Sequence, residues 1–100
     1  MDKKTQLLNL LGLAKRAGKV ITGEELVVKS IQNGKAQLVF VAADASANLI
    51  KKITDKSSYY EVAVSQMFSE IELSVAIGAN RKVLAIADSG FAKKMESLMN

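Results

Sequence analysis

The chain has 100 residues, an apolar fraction of 49% and a formal net charge of +4, which suits one compact domain and leaves no apolar surplus for a second core. It contains no Cys, His, Pro or Trp, so disulfides, thiolate and imidazole metal ligands and the commonest general base are excluded together. No apolar run approaches the roughly 18 residues that would span a bilayer, and Met1-Asp2-Lys3-Lys4 leads into an amphipathic pattern, not a secretion signal. A cytoplasmic protein with no membrane partner, no metal and no cofactor is expected.

From Thr5 to Ala17, Leu7, Leu8, Leu11 and Ala14 recur at helical spacing and Gly18 supplies a natural terminator, which predicts a first helix. Val20-Ile21-Thr22 predicts a brief strand. A second helix is expected from about Gly23 to Asn33, with Val27 and Ile31 inward and Gly34 ending it. Leu38 to Ala43 is an unbroken apolar run of strand length, the signature of a strand covered on both faces. A helix from about Ala47 to Lys56 should bury Leu49, Ile50 and Ile53 and show Lys51, Lys52 and Asp55 to water. Tyr59 to Val64 reads as a third strand. Ser69 followed three residues later by Glu72 has capping-box spacing and starts a helix that runs toward Gly78. Val83 to Ala87 reads as a second fully buried strand. Asp88-Ser89 caps a last helix with Phe91, Met95, Leu98 and Met99 on one side. Alternating helices and buried strands predict a single α/β domain over residues 1–100, a three-layer α/β/α sandwich with a central sheet of about four strands.

The charge is not spread evenly. Residues 1–35 hold seven basic side chains against three acidic ones, whereas residues 36–100 hold seven of each. A localised positive field attracts polyanions by counterion release, which points to nucleic acid, although a solvated, solubilising face explains the same charges. Gly12 to Val20 superficially matches a phosphate-binding loop but has five residues between its glycines instead of four, and Val20 stands where a magnesium-binding hydroxyl belongs. Nucleoside triphosphate binding is therefore rejected. Lys15 and Arg16 then sit at a helix C-terminus, where the dipole favours cations without preventing contact with phosphates.

The stretch Thr22 to Gly34 places a glycine at a helix start and a polar stripe of Glu25, Lys29 and Gln32 on the outer face. A helix N-terminus offers free N–H groups that Gly23 leaves unshielded. Lys29 could reach a phosphate or purine edge, and a carboxylate such as Glu25 could accept from the exposed edge of an unpaired guanine. Dipole complementation by Glu24 and Glu25 and an ordinary Glu25–Lys29 pair explain the same residues. Tyr59-Tyr60 could stack on bases, but at a strand entrance the pair is expected to pack inward. Gly78 to Lys82 is a short basic loop before a buried strand, a usual place for binding residues.

Taken together, Gly23 to Gly34, the strand Leu38 to Ala43, the segment Leu73 to Gly78 and the strand Val83 to Ala87 resemble the kink-turn-binding ribosomal protein superfamily. Leu10 to Lys19 and Thr54-Asp55-Lys56 are similar to its bacterial YlxQ-like branch. The most specific element is a glycine, a lysine six residues on and a glycine five after that, met by Gly23, Lys29 and Gly34. The resemblance implies an α/β/α sandwich whose second helix enters the widened groove at tandem sheared G·A pairs, and a loop, here Ala79 to Lys82, that contacts the extruded nucleotide of the bend. The chain carries Glu25-Leu26 where the family's strongest RNA binders carry Asn-Glu.

The expected function is recognition and stabilisation of a kink-turn or similarly bent structured RNA, without catalysis and without DNA, in a ribosomal or other ribonucleoprotein setting. The RNA-binding residues would be Lys15, Arg16, Lys19, Gly23, Glu24, Glu25, Lys29, Ala79, Asn80 and Arg81. A protein-interaction module on the same fold is the alternative. A hydrolase using Asp44 and Asp88 at strand ends has only the position of those carboxylates in its favour, and both fit turn and cap roles.

Overall fold

The computed structural model describes residues 1–99. Five helices and four strands follow in the order α1 (Lys3–Arg16), β1 (Val20–Thr22), α2 (Glu24–Gln32), β2 (Leu38–Val41), α3 (Ala47–Tyr59), β3 (Ala63–Ser65), α4 (Glu70–Ile77), β4 (Val83–Ile86) and α5 (Ser89–Met99). The strands form one mixed sheet in the order β1-β4-β2-β3. β4 runs antiparallel to β1 and to β2, with Thr22 opposite Leu84 and Val41 opposite Val83, while β2 and β3 are parallel with Leu38 opposite Ala63.

Alternation along the two central strands builds two cores. Side chains of a strand point to opposite faces in turn, so Leu38, Phe40, Ala42, Leu84 and Ile86 meet Leu7 and Leu11 of α1, Leu73 of α4 and Met95 of α5. Val39, Val41, Val83 and Ala85 meet Val27 and Ile31 of α2 and Ile53 of α3 on the other side. The expected α/β/α layering is thus present, with α1, α4 and α5 in one layer and α2 and α3 in the other. Against the first layer, α1 and α4 come so close that a Cβ at Gly12 would lie 3.0 Å from the Ala76 carbonyl oxygen. That contact, and not phosphate binding, is what the glycine serves.

Two expectations are corrected. α1 begins at Lys3, before Thr5, because the Asp2 carboxylate accepts the Thr5 N–H at 2.7 Å and caps the helix earlier. The larger correction concerns Tyr59 to Val64: Tyr59 ends α3, and β3 is confined to Ala63–Ser65. The inward row Ile50, Ile53 and Ser57 keeps helical spacing past Lys56, and packing along it overrides the strand preference of tyrosine. The helix stops only where Glu61 adopts a left-handed φ of 59°.

Candidate nucleic-acid interface

β1 passes into α2 with no intervening loop, and Gly23 makes this possible. It takes φ 91° and ψ 144° at the N-cap, a conformation L-residues avoid, and no side chain caps the helix behind it. The other helices begin differently. Asp2, Ser46 and Ser69 cap α1, α3 and α4 through side-chain oxygens, and Asp88 accepts the Phe91 N–H at 2.8 Å at the start of α5. Among the described residues, α2 alone presents its first N–H groups without a side-chain acceptor.

The topology gathers other residues around that end. Because Thr22 pairs with Leu84 and the Ala42 N–H donates to the Lys82 carbonyl at 2.8 Å, the start of α2, the turn before α3 and the loop before β4 share one end of the sheet's strands. Between them lies an open depression of about 370 Å³, lined by Gly23, Glu24, Ser46, Leu49, Glu70, Asn80, Arg81, Lys82 and Val83. Sequence reasoning did not single out Ser46, Leu49 or Glu70, since their membership depends on two crossovers that bring α3 and α4 to this end of the strands.

The loop is held from behind. Ser74 of α4 accepts the Arg81 N–H through its hydroxyl at 3.0 Å and the Gly78 and Ala79 N–H groups through its carbonyl. Ala79 packs partly on the first core, so it anchors the loop, while Asn80 and Arg81 are exposed. The Arg81 guanidinium donates to the Asn80 carbonyl at 2.7 Å. On the other wall, the Glu24 carboxylate meets the Lys52 ammonium of α3 at 2.7 Å, which offsets one of the two acidic charges, Glu24 and Glu70, that line the depression. Glu25, Leu26 and Lys29 are all exposed, and Leu26 shows 59% of its surface. Among the described residues neither Glu25 nor Lys29 joins an ion pair, so the expected pairing between them is absent and Lys29 is free to meet a ligand.

Lys15, Arg16 and Lys19 lie elsewhere. The Ala87 N–H donates to the Lys19 carbonyl at 2.8 Å, which places the turn after α1 at the opposite end of the strands. Arg16 lines an apolar groove between α1 and α4, with Leu8, Gly12, Ile71 and Val75. Tyr59 and Tyr60 do not pack inward as expected but stand 79% and 40% exposed.

Comparison with known proteins identifies the frame. Residues 5–96 match the ribosomal protein L7Ae/L30e/S12e/Gadd45 family. The chain belongs to that family. It is 56% identical over 96 residues to the RNA-binding protein YlxQ of Enterococcus faecium, covering 96% of this chain and 93% of the relative. It is 49% identical over 92 residues to the Bacillus subtilis protein of the same name, covering 91% and 92%. A solved structure from Bacillus halodurans, described as a protein with unknown function, superposes with a TM-score of 0.89 at 41% identity, covering 93% of this chain and 95% of that one. Membership makes the chain a binding protein and not an enzyme. Asp44 and Asp88 have structural work instead: Asp44 accepts the Glu70 N–H at 2.9 Å and joins α4 to the end of β2, and Asp88 caps α5. Among the described residues no helix is long and apolar enough to cross a membrane, and no cluster of three carboxylates could hold a metal ion.

Proposed function

We propose that this RNA-binding protein of the L7Ae/L30e/S12e/Gadd45 family recognises a kink-turn or similarly bent RNA and stabilises its folded form, in the cytoplasm and as part of a ribonucleoprotein. The observation that carries the reading is the meeting of the uncapped start of α2 at Gly23 with Asn80 and Arg81 in one open depression. A preformed surface of this kind shifts an RNA toward its bent state by binding that state better. In this reading the N–H groups behind Gly23 and the carboxylate of Glu25 face the purine edges. Lys29 meets a phosphate, and Asn80 and Arg81, with Ala79 fixing the loop, hold the extruded nucleotide. Glu24 acts through its pair with Lys52, shaping the lip. Lys15, Arg16 and Lys19, at the other end of the strands, engage the phosphates of a stem that extends past the bend.

Titrating the protein with a kink-turn duplex and with a control whose G·A pairs are replaced by Watson–Crick pairs tests the reading. The kink-turn should bind more tightly, with an affinity that falls with salt by a slope of roughly 0.7 to 0.9 per phosphate contacted. Lys29→Ala should reduce that slope by about one contact. Equal affinity for the two duplexes would remove the proposed specificity and favour a protein-interaction module on the same fold.

A further inference from the structure

The side of α3 that borders α2 carries a stripe that the kink-turn reading leaves unused. The contact between Lys52 and Glu24 identifies that side. Residues four, seven and eight positions after Lys52 return to it, and they are Lys56, Tyr59 and Tyr60. Lys56 joins no ion pair among the described residues. The two tyrosine rings stand edge to face with centroids 4.9 Å apart, and their exposure leaves room for a further ring against them.

The backbone beneath the rings is fixed. The Tyr60 N–H donates to the Lys56 carbonyl at 3.1 Å, the Glu61 N–H to the Ser58 carbonyl at 3.2 Å and the Val62 N–H to the Ser57 carbonyl at 2.8 Å. Glu61 holds the left-handed conformation that glycine usually supplies at a helix end. The tyrosines thus project from a rigid helix terminus and not from a loose loop. Their surroundings are polar, since Ser58 and Glu61 are exposed and Lys56 is half-buried. An aliphatic protein partner would find little to match there, whereas aromatic faces beside a lysine suit a base joined to a phosphate.

We propose that Tyr59 and Tyr60 form a stacking platform for an unpaired nucleotide of the bound RNA, with Lys56 meeting its phosphate. The inference rests on the RNA-binding reading above and extends it to a second contact. α3 starts beside the depression at Ser46 and ends at Tyr59, so the platform lies about 18 Å away along the helix axis. A base inside the bend does not reach it. The ligand is an unpaired nucleotide flanking a stem.

The composition supplies a direct readout, because the chain has two tyrosines and no tryptophan, so its tyrosine fluorescence reports on this platform alone. The full chain would be titrated with a blunt kink-turn duplex and with the same duplex carrying a short unpaired extension at each end in turn. One extension should quench the fluorescence and tighten binding on the order of tenfold relative to the blunt duplex. The gain should vanish in Tyr59→Ala/Tyr60→Ala and persist in Tyr59→Phe/Tyr60→Phe, with unchanged affinity of all three proteins for the blunt duplex. Extended and blunt duplexes that bind alike without quenching would overturn the inference, leave the kink-turn reading standing and point to a protein as the tyrosines' partner. Quenching by extended RNA, with equal affinity for kink-turn and control duplexes, would support the platform and defeat the kink-turn reading instead.

Discussion

Replacing Gly23 by alanine tests the backbone argument in isolation, because a Cβ built on this residue meets nothing within 4 Å. The cost in the free protein is therefore conformational. Holding an L-residue near φ 91° and ψ 144° costs on the order of 1–3 kcal/mol, and alanine is also a poorer N-cap than glycine. For a domain of this size each kcal/mol lowers the melting temperature by roughly 4–8 °C, so circular dichroism should record a loss between about 4 and 24 °C. Gly34→Ala is the matched comparison: it also has a positive φ, 82°, and open space, but it lies past the other end of α2. Both variants should melt early, and only Gly23→Ala should bind kink-turn RNA more weakly when measured below its transition. A Gly23→Ala protein as stable as its parent would refute the strain argument. Equal loss of RNA affinity in the two variants would refute the placement of the interface at the start of α2.

Three further outcomes are expected. Ser74→Ala removes the hydroxyl that accepts the Arg81 N–H. It should cost about 0.5–1.5 kcal/mol, and hydrogen exchange should show the Arg81 amide opening more often, with weaker RNA binding at unchanged affinity for the control duplex. Glu61→Gly relieves a left-handed residue outside the depression, so urea unfolding should show a net gain of up to about 1 kcal/mol once the extra freedom of glycine in the unfolded chain is offset. The Lys4 ammonium, 2.7 Å away, and the Ser69 N–H hold the Glu72 carboxyl below its ordinary value of 4.5. A carboxylate lowered in the folded state stabilises fully above that ordinary value, and the contribution is lost as pH falls through the lowered one. The urea midpoint should accordingly decline below about pH 4.5, and Glu72→Gln should flatten that part of the profile.

The central layer was the most readable part of the chain. Leu38 to Val41 and Val83 to Ile86 are buried on both faces, and such strands advertise themselves as continuous apolar runs. The Ser69–Glu72 capping box was equally plain because its chemistry is local. Tyr59 to Val64 misled because aromatic and β-branched residues favour strands, while the evidence for helix, the inward position of Ser57, becomes visible only once α3 is docked. The site divided along the same line. Of the residues that spacing and position single out, Gly23, Asn80, Arg81 and Lys82 line the depression, while Lys29 and Ala79 lie outside its lining. Ser46, Leu49, Glu70 and the Ser74 clamp reach the depression through tertiary contacts between distant segments, and no local pattern encodes those.

Charge counted along the chain is also not charge as a ligand meets it. The excess in residues 1–35 is dispersed by folding: Lys4 neutralises Glu72, Lys19 goes to the opposite end of the strands, and Lys29 alone of the seven stands on the outer face of α2, in its last turn. The depression draws Arg81 and Lys82 instead from the part of the chain whose charges balance. Lys19 and Gly23 are separated by the length of β1, about 13 Å for four residue steps, which exceeds a screening length of about 8 Å at physiological salt. The field of Lys15, Arg16 and Lys19 is therefore weak at the bend itself. In the proposed reading those residues meet RNA only by direct contact with a stem long enough to reach them, so binding measured against stem length, and not the chain's net charge, tests whether they contribute.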